Sequence, residues 1–163
     1  MYPTIETDRL ILRPWRESDA PALYRYACDP LVADPAGWPA HTSVEFSLAV
    51  IREVFSSPEI YAMVLKSTGE PVGCCGLVPA GARPCDAIGP DDAEIGYWVG
   101  CPYWGLGLMP EAVAALAARA TEVLGRKRLW IAFTDGNDRS RRVAEKCGFA
   151  YHHTQNAEHY YVR

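Results

Sequence analysis

A loop with two glycines, placed between a strand-like run and a long helical pattern, constrains the fold of this sequence more than any other feature. Residues 93–99 (AEIGYWV) predict a strand, and residues from about 109 to 124 predict a helix. The first N–H groups of a helix lack partners within it, and the helix dipole adds about half a positive charge there. Because Gly105 and Gly107 allow an anion to approach the backbone closely, the segment predicts a site for a phosphate-bearing ligand.

The glycine pattern by itself does not identify the ligand. No Gly-Lys-Ser/Thr follows, so the loop differs from that of the P-loop nucleotide-binding proteins, and the third glycine of the dinucleotide-binding fingerprint is missing. Two glycines before a helix also occur as an ordinary turn, and the local sequence leaves this alternative open.

Composition and charge exclude several classes of protein. The 163 residues suit one domain, spanning 1–163. The net charge of −4 argues against nucleic-acid binding, which usually requires a basic surface, and it mildly favours a cationic substrate. No apolar run reaches the ~18 residues that a membrane span needs, and the N-terminus lacks a signal-peptide pattern. We therefore expect a cytoplasmic protein without a membrane or nucleic-acid partner.

The cysteines and histidines do not predict a metal site. The six cysteines form no CxxC pair and match no zinc spacing. His152 and His153 are neighbours in a predicted strand, where adjacent side chains face opposite sides of the sheet. We therefore expect no metal.

The hydrophobic patterns predict a mixed α/β domain with the element order β-α-α-β-β-β-α-β-α-β-β. Helices are predicted at about 18–28, with Ser18 or Asp19 as the cap, at 43–55 with Ser43 at its start, at 109–124 and at 138–147. Strands are predicted at 10–14, 60–65, 72–78, 93–99, 129–133, 150–154 and 158–162. Residues 29–42 and 79–92 are rich in Pro and Gly and predict a loop and an irregular connection.

Three segments together resemble the GNAT N-acetyltransferases. Residues 93–112 resemble the acetyl-CoA motif of that family, and residues 137–149 (NDRSRRVAEKCGF) resemble its second motif. Residues 6–13 (ETDRLILR) are similar to the start of the branch that contains the ribosomal-protein alanine and serine N-acetyltransferases. The resemblance covers residues 5–150 in matching order.

The resemblance implies a GNAT-like fold, with a mixed sheet of about seven strands flanked by about four helices. The parallel strands 93–99 and 129–133 would splay apart, and acetyl-CoA would be the co-substrate. Pantetheine would pair with the backbone of Tyr97, Trp98 and Val99. The pyrophosphate would rest on the loop amides, which belong to Trp104, Gly105, Leu106, Gly107, Leu108 and Met109.

The last predicted helix adds further candidates. Asn137 is a helix cap by pattern, and the resemblance makes it a pantetheine contact as well. Arg139 or Arg142 would reach the 3′-phosphate. The tyrosine that many members use to protonate the departing thiolate is replaced by Ala144. Ser140 lies on the same helix face and is our candidate for that role, the alternative being a first-turn serine bonded to the backbone.

Two further positions concern the amine. The chemistry requires a base to accept a proton from the amine, and Glu94 is the candidate, since burial would raise its pKa. The alternative is a rim carboxylate paired with a surface cation. Trp38 and His41 belong to the loop that lines the acceptor side in relatives. His41 is a second candidate base or, alternatively, a merely exposed loop histidine.

These patterns predict an acetyl-CoA-dependent N-acetyltransferase that acts on a primary amine, either a protein N-terminus or a small molecule, by direct attack on the thioester. A non-catalytic acyl-CoA-binding module is the alternative, because the family's tyrosine is absent, as is the Gln or Arg expected where Pro102 stands. A nucleotide-binding domain would require the P-loop lysine that is missing. The sequence is compatible with a monomer or a homodimer.

Overall fold

Eight strands form one mixed sheet in the order β1-β2-β3-β4-β5-β6-β8-β7, and five α-helices flank it in the computed structural model, which describes residues 2–83 and 85–163. The strands are β1 (Ile5–Glu6), β2 (Leu10–Pro14), β3 (Ile60–Leu65), β4 (Pro71–Leu77), β5 (Ala93–Val99), β6 (Leu129–Thr134), β7 (Ala150–Gln155) and β8 (Glu158–Val162). The helices are α1 (Ala20–Ala27), α2 (Pro30–Ala36), α3 (Val44–Glu53), α4 (Leu108–Glu122) and α5 (Asp138–Lys146).

The centre of the sheet contains the one parallel pair among the described strands. β5 and β6 pair only at their first residues, through Ala93 with Leu129 and Glu94 with Trp130. Beyond that point β5 continues antiparallel to β4 as far as Val99, whereas β6 pairs with β8. The two strands therefore diverge, and the predicted splayed pair is confirmed.

The two faces of the sheet carry separate layers of core. Along β3 the side chains alternate, because successive residues of a strand point to opposite faces. Tyr61 and Met63 belong to the cluster packed under α4 and α5, while Ala62 and Val64 belong to the cluster under α1 and α3. The fully buried apolar stripe of α4 covers the first face, so that the start of this helix is fixed at the end of β5.

The structure differs from the predicted loop at 29–42, because this segment contains α2. The Asp29 side chain accepts a hydrogen bond from the Leu31 N–H over 2.9 Å, and Pro30 occupies the first helical position. Gly37 ends the helix with a φ of 80°. Pro and Gly therefore mark the two ends of a short helix here, as they often do. α2 contacts both β5 and β6 and thus lies across the place where they diverge.

Smaller differences concern the first helix and the element count. A short 3-10 turn at Glu17–Asp19 precedes α1, and the Asp19 side chain makes no capping bond to that helix. Instead Asp19 pairs with the Arg13 guanidinium over 2.7 Å and accepts the Arg16 N–H. The short strand β1 and helix α2 raise the predicted counts from about seven strands and four helices to eight and five.

His152 and His153 do not face opposite sides as predicted. The pairing of β7 with β8 shifts by one residue between Tyr151 and His153, and such a bulge reorients the side chains next to it. The two rings lie 5.0 Å apart, with their Nδ1 atoms separated by 2.8 Å. Within residues 2–83 and 85–163, no group of three or more His, Cys, Asp or Glu side chains is arranged to hold a metal ion.

The irregular connection predicted for residues 79–92 is confirmed where the structure describes it. Residues 78–83 and 85–92 form turns without a helix or strand. Met1 and Pro84 lie outside the described residues, although the predicted domain span includes both and the predicted connection 79–92 includes Pro84. None of the described helices has both the length and the apolar character required to cross a membrane.

Candidate active site

A cavity of about 860 Å³ opens where β5 and β6 diverge, and its walls come from both faces of the sheet. It brings together all of the sequence-predicted site residues except Leu106. These are Trp38, His41, Glu94, Tyr97, Trp98, Val99, Trp104, Gly105, Gly107, Leu108, Met109, Asn137 and Ser140.

The two-glycine loop and the start of α4 form one wall of this cavity. Gly105 and Gly107 have φ values of 74° and 77°, a conformation that residues with a Cβ rarely adopt. α4 begins immediately after Gly107, and no side chain caps it. The N–H groups of its first turn, including those of Leu108 and Met109, therefore have no partner within the helix. A Cβ on Gly105 would meet no atom within 4 Å, which shows that the loop is open at this position.

Leu106 is oriented differently from its neighbours. Its side chain is 54% exposed, and its carbonyl oxygen accepts a hydrogen bond from Arg9 over 2.7 Å. Arg9 also pairs with Glu111 over 2.8 Å, and Thr7 donates to the same carboxylate over 2.6 Å. These three side chains fix the loop against the start of β2. No local pattern indicates this role, although all three residues lie within the segments that carry the family resemblance.

The backbone of β5 presents its polar groups alternately to β4 and to the gap. The Val78 N–H donates to the Glu94 carbonyl and the Gly100 N–H donates to Val72, so the even-numbered residues of this stretch face β4. Since backbone directions alternate along a strand, Tyr97 and Val99 turn theirs towards the gap. Trp98 therefore differs from its predicted backbone role, because its backbone faces β4 while its side chain lines the cavity.

Ser140 and Tyr97 are joined across the cavity wall. The Ser140 hydroxyl donates to the phenolic oxygen of Tyr97 over 2.9 Å, and the Tyr97 hydroxyl donates to the Ser140 carbonyl over 3.1 Å. Asn137 caps α5 by accepting the Ser140 N–H over 3.2 Å. Burial raises the pKa of Tyr97, opposed by the hydrogen bond from Ser140, so the phenol is neutral at physiological pH. The side chain of Ala144, at the position of the family's tyrosine, is fully buried.

Glu94 is a buried carboxylate with a cation beside it. Its side chain is 6% exposed, and the Arg83 guanidinium lies 3.4 Å from Oε1 and 3.3 Å from Glu158. Burial raises the pKa of Glu94, with Glu158 raising it further and Arg83 lowering it. The site thus combines features of both sequence interpretations, because the group is buried as a base would be and also has an ionic partner. The sequence gives no signal for this position of Arg83, because the residue lies in a segment without a regular pattern.

The expectation that a loop histidine is exposed proves wrong for His41. Its backbone N–H donates to the Ala27 carbonyl over 2.9 Å, which draws the residue under α1. The Nδ1 atom lies 2.7 Å from the Ser47 hydroxyl, and the ring packs between Trp38 and Phe46. Burial lowers the pKa of His41, so the ring is neutral at pH 7.

The opposite end of the cavity is cationic. Arg139, Arg142 and Lys146 of α5 all contribute to its lining. The Arg139 guanidinium lies 3.5 Å above the Trp104 ring, close enough for a cation–π interaction that positions it beside the glycine loop. The cavity therefore has a positive end formed by the loop and α5, and a buried carboxylate near the start of β5.

This geometry agrees with the family comparison. The family model described as "Acetyltransferase (GNAT) domain" matches residues 9–150. The chain belongs to the GNAT family of N-acetyltransferases. As a GNAT N-acetyltransferase it is an enzyme, and the family's typical co-substrate is acetyl-CoA.

Individual relatives of this GNAT enzyme support the same assignment. A Bacillus subtilis (strain 168) protein named "Uncharacterized N-acetyltransferase YoaA" is 27% identical over 155 residues, which cover 91% of this chain and 84% of that protein. An acetyltransferase of the GNAT family from Bacillus anthracis has a crystal structure similar to this one, with a TM-score of 0.83, 19% identity and coverage of 99% and 98%. A structure from Vibrio cholerae with the provisional name ribosomal-protein-serine acetyltransferase has a TM-score of 0.78, 22% identity and coverage of 99% and 97%. At these sequence identities the two structures show a shared fold and nothing more.

Proposed function

We propose that this GNAT enzyme transfers the acetyl group of acetyl-CoA to a primary amine. The observation that carries the proposal is the single cavity shared by three features. These are a helix N-terminus behind two left-handed glycines, strand backbone turned into a gap, and the buried carboxylate of Glu94. Acetyl-CoA is a cytoplasmic metabolite, so the proposal includes a cytoplasmic enzyme.

The residues at the cationic end suit the CoA portion of the donor. The amides from Gly105 to Met109 are available to the pyrophosphate, in the manner of other helix N-termini that bind anions, whereas the Trp104 N–H already donates to the Cys101 carbonyl over 3.2 Å. The backbone of Tyr97 and the Val99 N–H face the gap and are available to pantetheine, whereas the Val99 carbonyl already accepts the Trp104 indole N–H over 2.9 Å. Arg139 and Arg142 are available to the 3′-phosphate.

Glu94 is the proposed base for the amine. Most primary amines are protonated near pH 7, so the attacking nitrogen must first lose a proton, directly or through water. The raised pKa of Glu94 makes its carboxylate a stronger base than an exposed glutamate. The amine nitrogen then forms a bond to the thioester carbon, and the bond between that carbon and sulfur breaks. The gap-facing N–H of Tyr97 is placed to stabilise the carbonyl oxygen as it gains charge.

Ser140 is the proposed donor of a proton to the departing thiolate. For this transfer the Ser140 hydroxyl would turn from Tyr97 to sulfur, and the Tyr97 hydroxyl would turn from the Ser140 carbonyl to Ser140 Oγ and replace the proton. Ser140 and Tyr97 thus supply hydroxyl groups in the region of Ala144, whose buried methyl group cannot donate a proton. The ammonium gives up one proton before attack, and the tetrahedral nitrogen loses another as the carbon–sulfur bond breaks. Sulfur gains one proton, so the net reaction yields an N-acetyl amine, CoA and one proton released to solvent.

The test measures thiol release from acetyl-CoA with a panel of primary amines, using the wild-type protein, Glu94→Gln and Ser140→Ala, together with calorimetric binding of acetyl-CoA. We expect turnover by the wild-type protein, and slower turnover with nearly unchanged acetyl-CoA affinity in both variants. Binding of acetyl-CoA without turnover of any amine would indicate the acyl-CoA-binding module instead. An absence of acetyl-CoA binding would refute the proposal.

A further inference from the structure

Helix α3 has two apolar faces, and only one of them packs into the core. Val44, Leu48 and Ile51 point into the cluster beneath α1 and α3. Phe46 and Val50, together with Val54 directly after the helix, recur every four residues and so follow a second face of the helix. This second face lines the cavity, and Phe46 and Val54 remain 39% and 50% exposed.

An aromatic row continues this apolar wall. Trp98 lies 5.7 Å from Trp38, Trp38 lies 5.4 Å from His41, and His41 lies 4.9 Å from Phe46, all measured between ring centroids. His41 does not add a charge near pH 7, because burial lowers its pKa. The four rings therefore present an uncharged wall on the side of the cavity that is formed by α2, α3 and β5.

The same face of β5 connects the aromatic row to the proposed base. Glu94, Gly96 and Trp98 alternate onto one side of the strand, so they lie in line over about 13 Å. Gly96 has no side chain of its own between the other two, and the Val78 side chain lies beside this line, 3.3 Å from where a Cβ on Gly96 would stand. A molecule that lies along this line can place one end at the carboxylate and its body against the apolar wall.

The charges in this half of the cavity match one ammonium group. Among the described lining residues outside the cationic end, the ionisable groups that carry charge at neutral pH are Glu94, Glu158 and Arg83. Arg83 is within 3.4 Å of both carboxylates and offsets one of them. The further ammonium groups of a polyamine would find no second unpaired carboxylate among the described residues of this half of the cavity.

Resting on the proposed function, we infer that the acceptor is a monoamine whose primary amine is attached to a large apolar body, aromatic or branched aliphatic. This chemistry occurs in free arylalkylamines and in polypeptides that begin with a bulky apolar residue. The ammonium group lies at Glu94, and the body covers the faces of Phe46, Val50 and Val54 that the fold leaves exposed.

The experiment compares kcat/KM with acetyl-CoA for phenethylamine, ethylamine and spermidine, and for two short peptides that begin with Phe or Ser. Transfer of a phenyl group from water to an apolar wall favours phenethylamine over ethylamine by roughly 30-fold. We expect the same order for the Phe peptide over the Ser peptide. The faster of phenethylamine and the Phe peptide identifies the source of the amine, and either result supports the inference.

A pair of lysine substitutions makes the test specific to the wall. Val54→Lys should lower kcat/KM for phenethylamine at least about tenfold, because it places a charged group on the apolar surface that binds the phenyl ring. The kcat/KM for ethylamine should change little. Val123→Lys is the matched control, since Val123 is also exposed but lies outside the cavity. Calorimetric acetyl-CoA affinity should be unchanged in both variants.

Several outcomes would overturn the inference while leaving the proposed function intact. These are faster turnover of spermidine, ethylamine or the Ser peptide than of the apolar acceptors, or equal effects of the two lysine substitutions. Faster turnover of octanoyl-CoA with ethylamine than of acetyl-CoA with phenethylamine would also overturn it, because the wall would then serve the acyl group. If no amine is acetylated and acetyl-CoA does not bind, the proposed function fails and this inference fails with it.

Discussion

The Ser140 hydroxyl donates a hydrogen bond to the phenolic oxygen of Tyr97 over 2.9 Å, and this contact joins α5 to the diverging strand β5. Ser140 and Ala144 are four residues apart and therefore share one face of α5. A phenol supplied by β5 thus lies next to the helix face where many GNAT members carry their tyrosine. The arrangement gives this enzyme a neutral hydroxyl pair without a tyrosine on the last helix.

Removal of either hydroxyl should slow the chemical step. We expect Ser140→Ala to lower kcat about 100-fold and Tyr97→Phe to lower it less, with the KM for acetyl-CoA nearly unchanged. The double variant should be no slower than Ser140→Ala, since both hydroxyls act through one proton path. Steady-state kinetics measure these effects, and Tyr151→Phe is the control, because that exposed phenol pairs with Thr154 outside the cavity. Additive losses in the double variant would contradict a shared path.

Glu94 should set the acid limb of the pH profile. A base works when deprotonated, so kcat/KM should rise with pH through the pKa of Glu94, which burial raises above its usual range. Glu94→Gln should lower kcat/KM about 100-fold and remove this limb. Arg83→Ala should move the limb to higher pH, because the guanidinium lowers the pKa of Glu94. A limb that stays in place in both variants would assign the base to another group.

A methyl group on the glycine loop should interfere with the donor. Gly105→Ala should cost about 1–2 kcal/mol of unfolding free energy from its left-handed backbone, and it should also weaken acetyl-CoA binding. Gly125→Ala is a matched control at the other end of α4, with a φ of 65° and equally open surroundings. Thermal melting with acetyl-CoA, CoA and ATP in excess measures both effects. The account predicts equal losses of intrinsic stability but a reduced acetyl-CoA shift only for Gly105→Ala.

The Glu59–Arg119 pair should make stability depend on pH. The two groups lie 2.6 Å apart and are mostly buried, and hydrogen bonds from Arg119 lower the pKa of Glu59. The pair therefore stabilises the fold above the unfolded pKa of about 4.3, and this contribution is lost as pH falls towards the lower folded pKa. Arg119→Leu should cost about 3 kcal/mol at pH 7, and the difference from the wild-type protein should shrink in acid.

Chemical denaturation across pH 3–8 (a range chosen about the ordinary Glu pKa) provides the measurement. Arg52→Leu is the control, because Arg52 forms an exposed pair with Glu17 over 2.7 Å, and exposed pairs contribute little. A pH-independent loss in Arg119→Leu would mean that packing of the arginine stem, and not its charge, accounts for the effect.

The sequence predicted the elements whose signals are local. β3 and β5 are apolar runs of ordinary strand length, and their predicted limits match the structure. Asn137 caps α5 as predicted by accepting the Ser140 N–H, and Ser43, the predicted start of α3, accepts the Phe46 N–H. Pro and Gly typically indicate a loop and therefore hide helix α2, whose two ends are marked by Pro30 and Gly37.

The side-chain partnerships of the site depend on contacts between residues far apart in the chain. Nothing in the local sequence shows that Tyr97 meets Ser140, that Arg83 reaches Glu94, or that Arg9 holds the Leu106 carbonyl. The burial of His41 likewise depends on a bond to Ala27 and on the rings around it. The assembly of the predicted residues into one cavity follows from strand order, which the family resemblance supplied and the periodicity did not.

Transfer of a labelled acetyl group tests the central claim most directly. The wild-type protein and Glu94→Gln are incubated with acetyl-CoA that carries an isotopic label in its acetyl group, together with a pool of primary amines and short peptides. The account predicts a labelled N-acetyl product by mass spectrometry, formed one for one with free CoA by the wild-type protein and much more slowly by the variant. Release of CoA no faster than in buffer, with no labelled product, would contradict it.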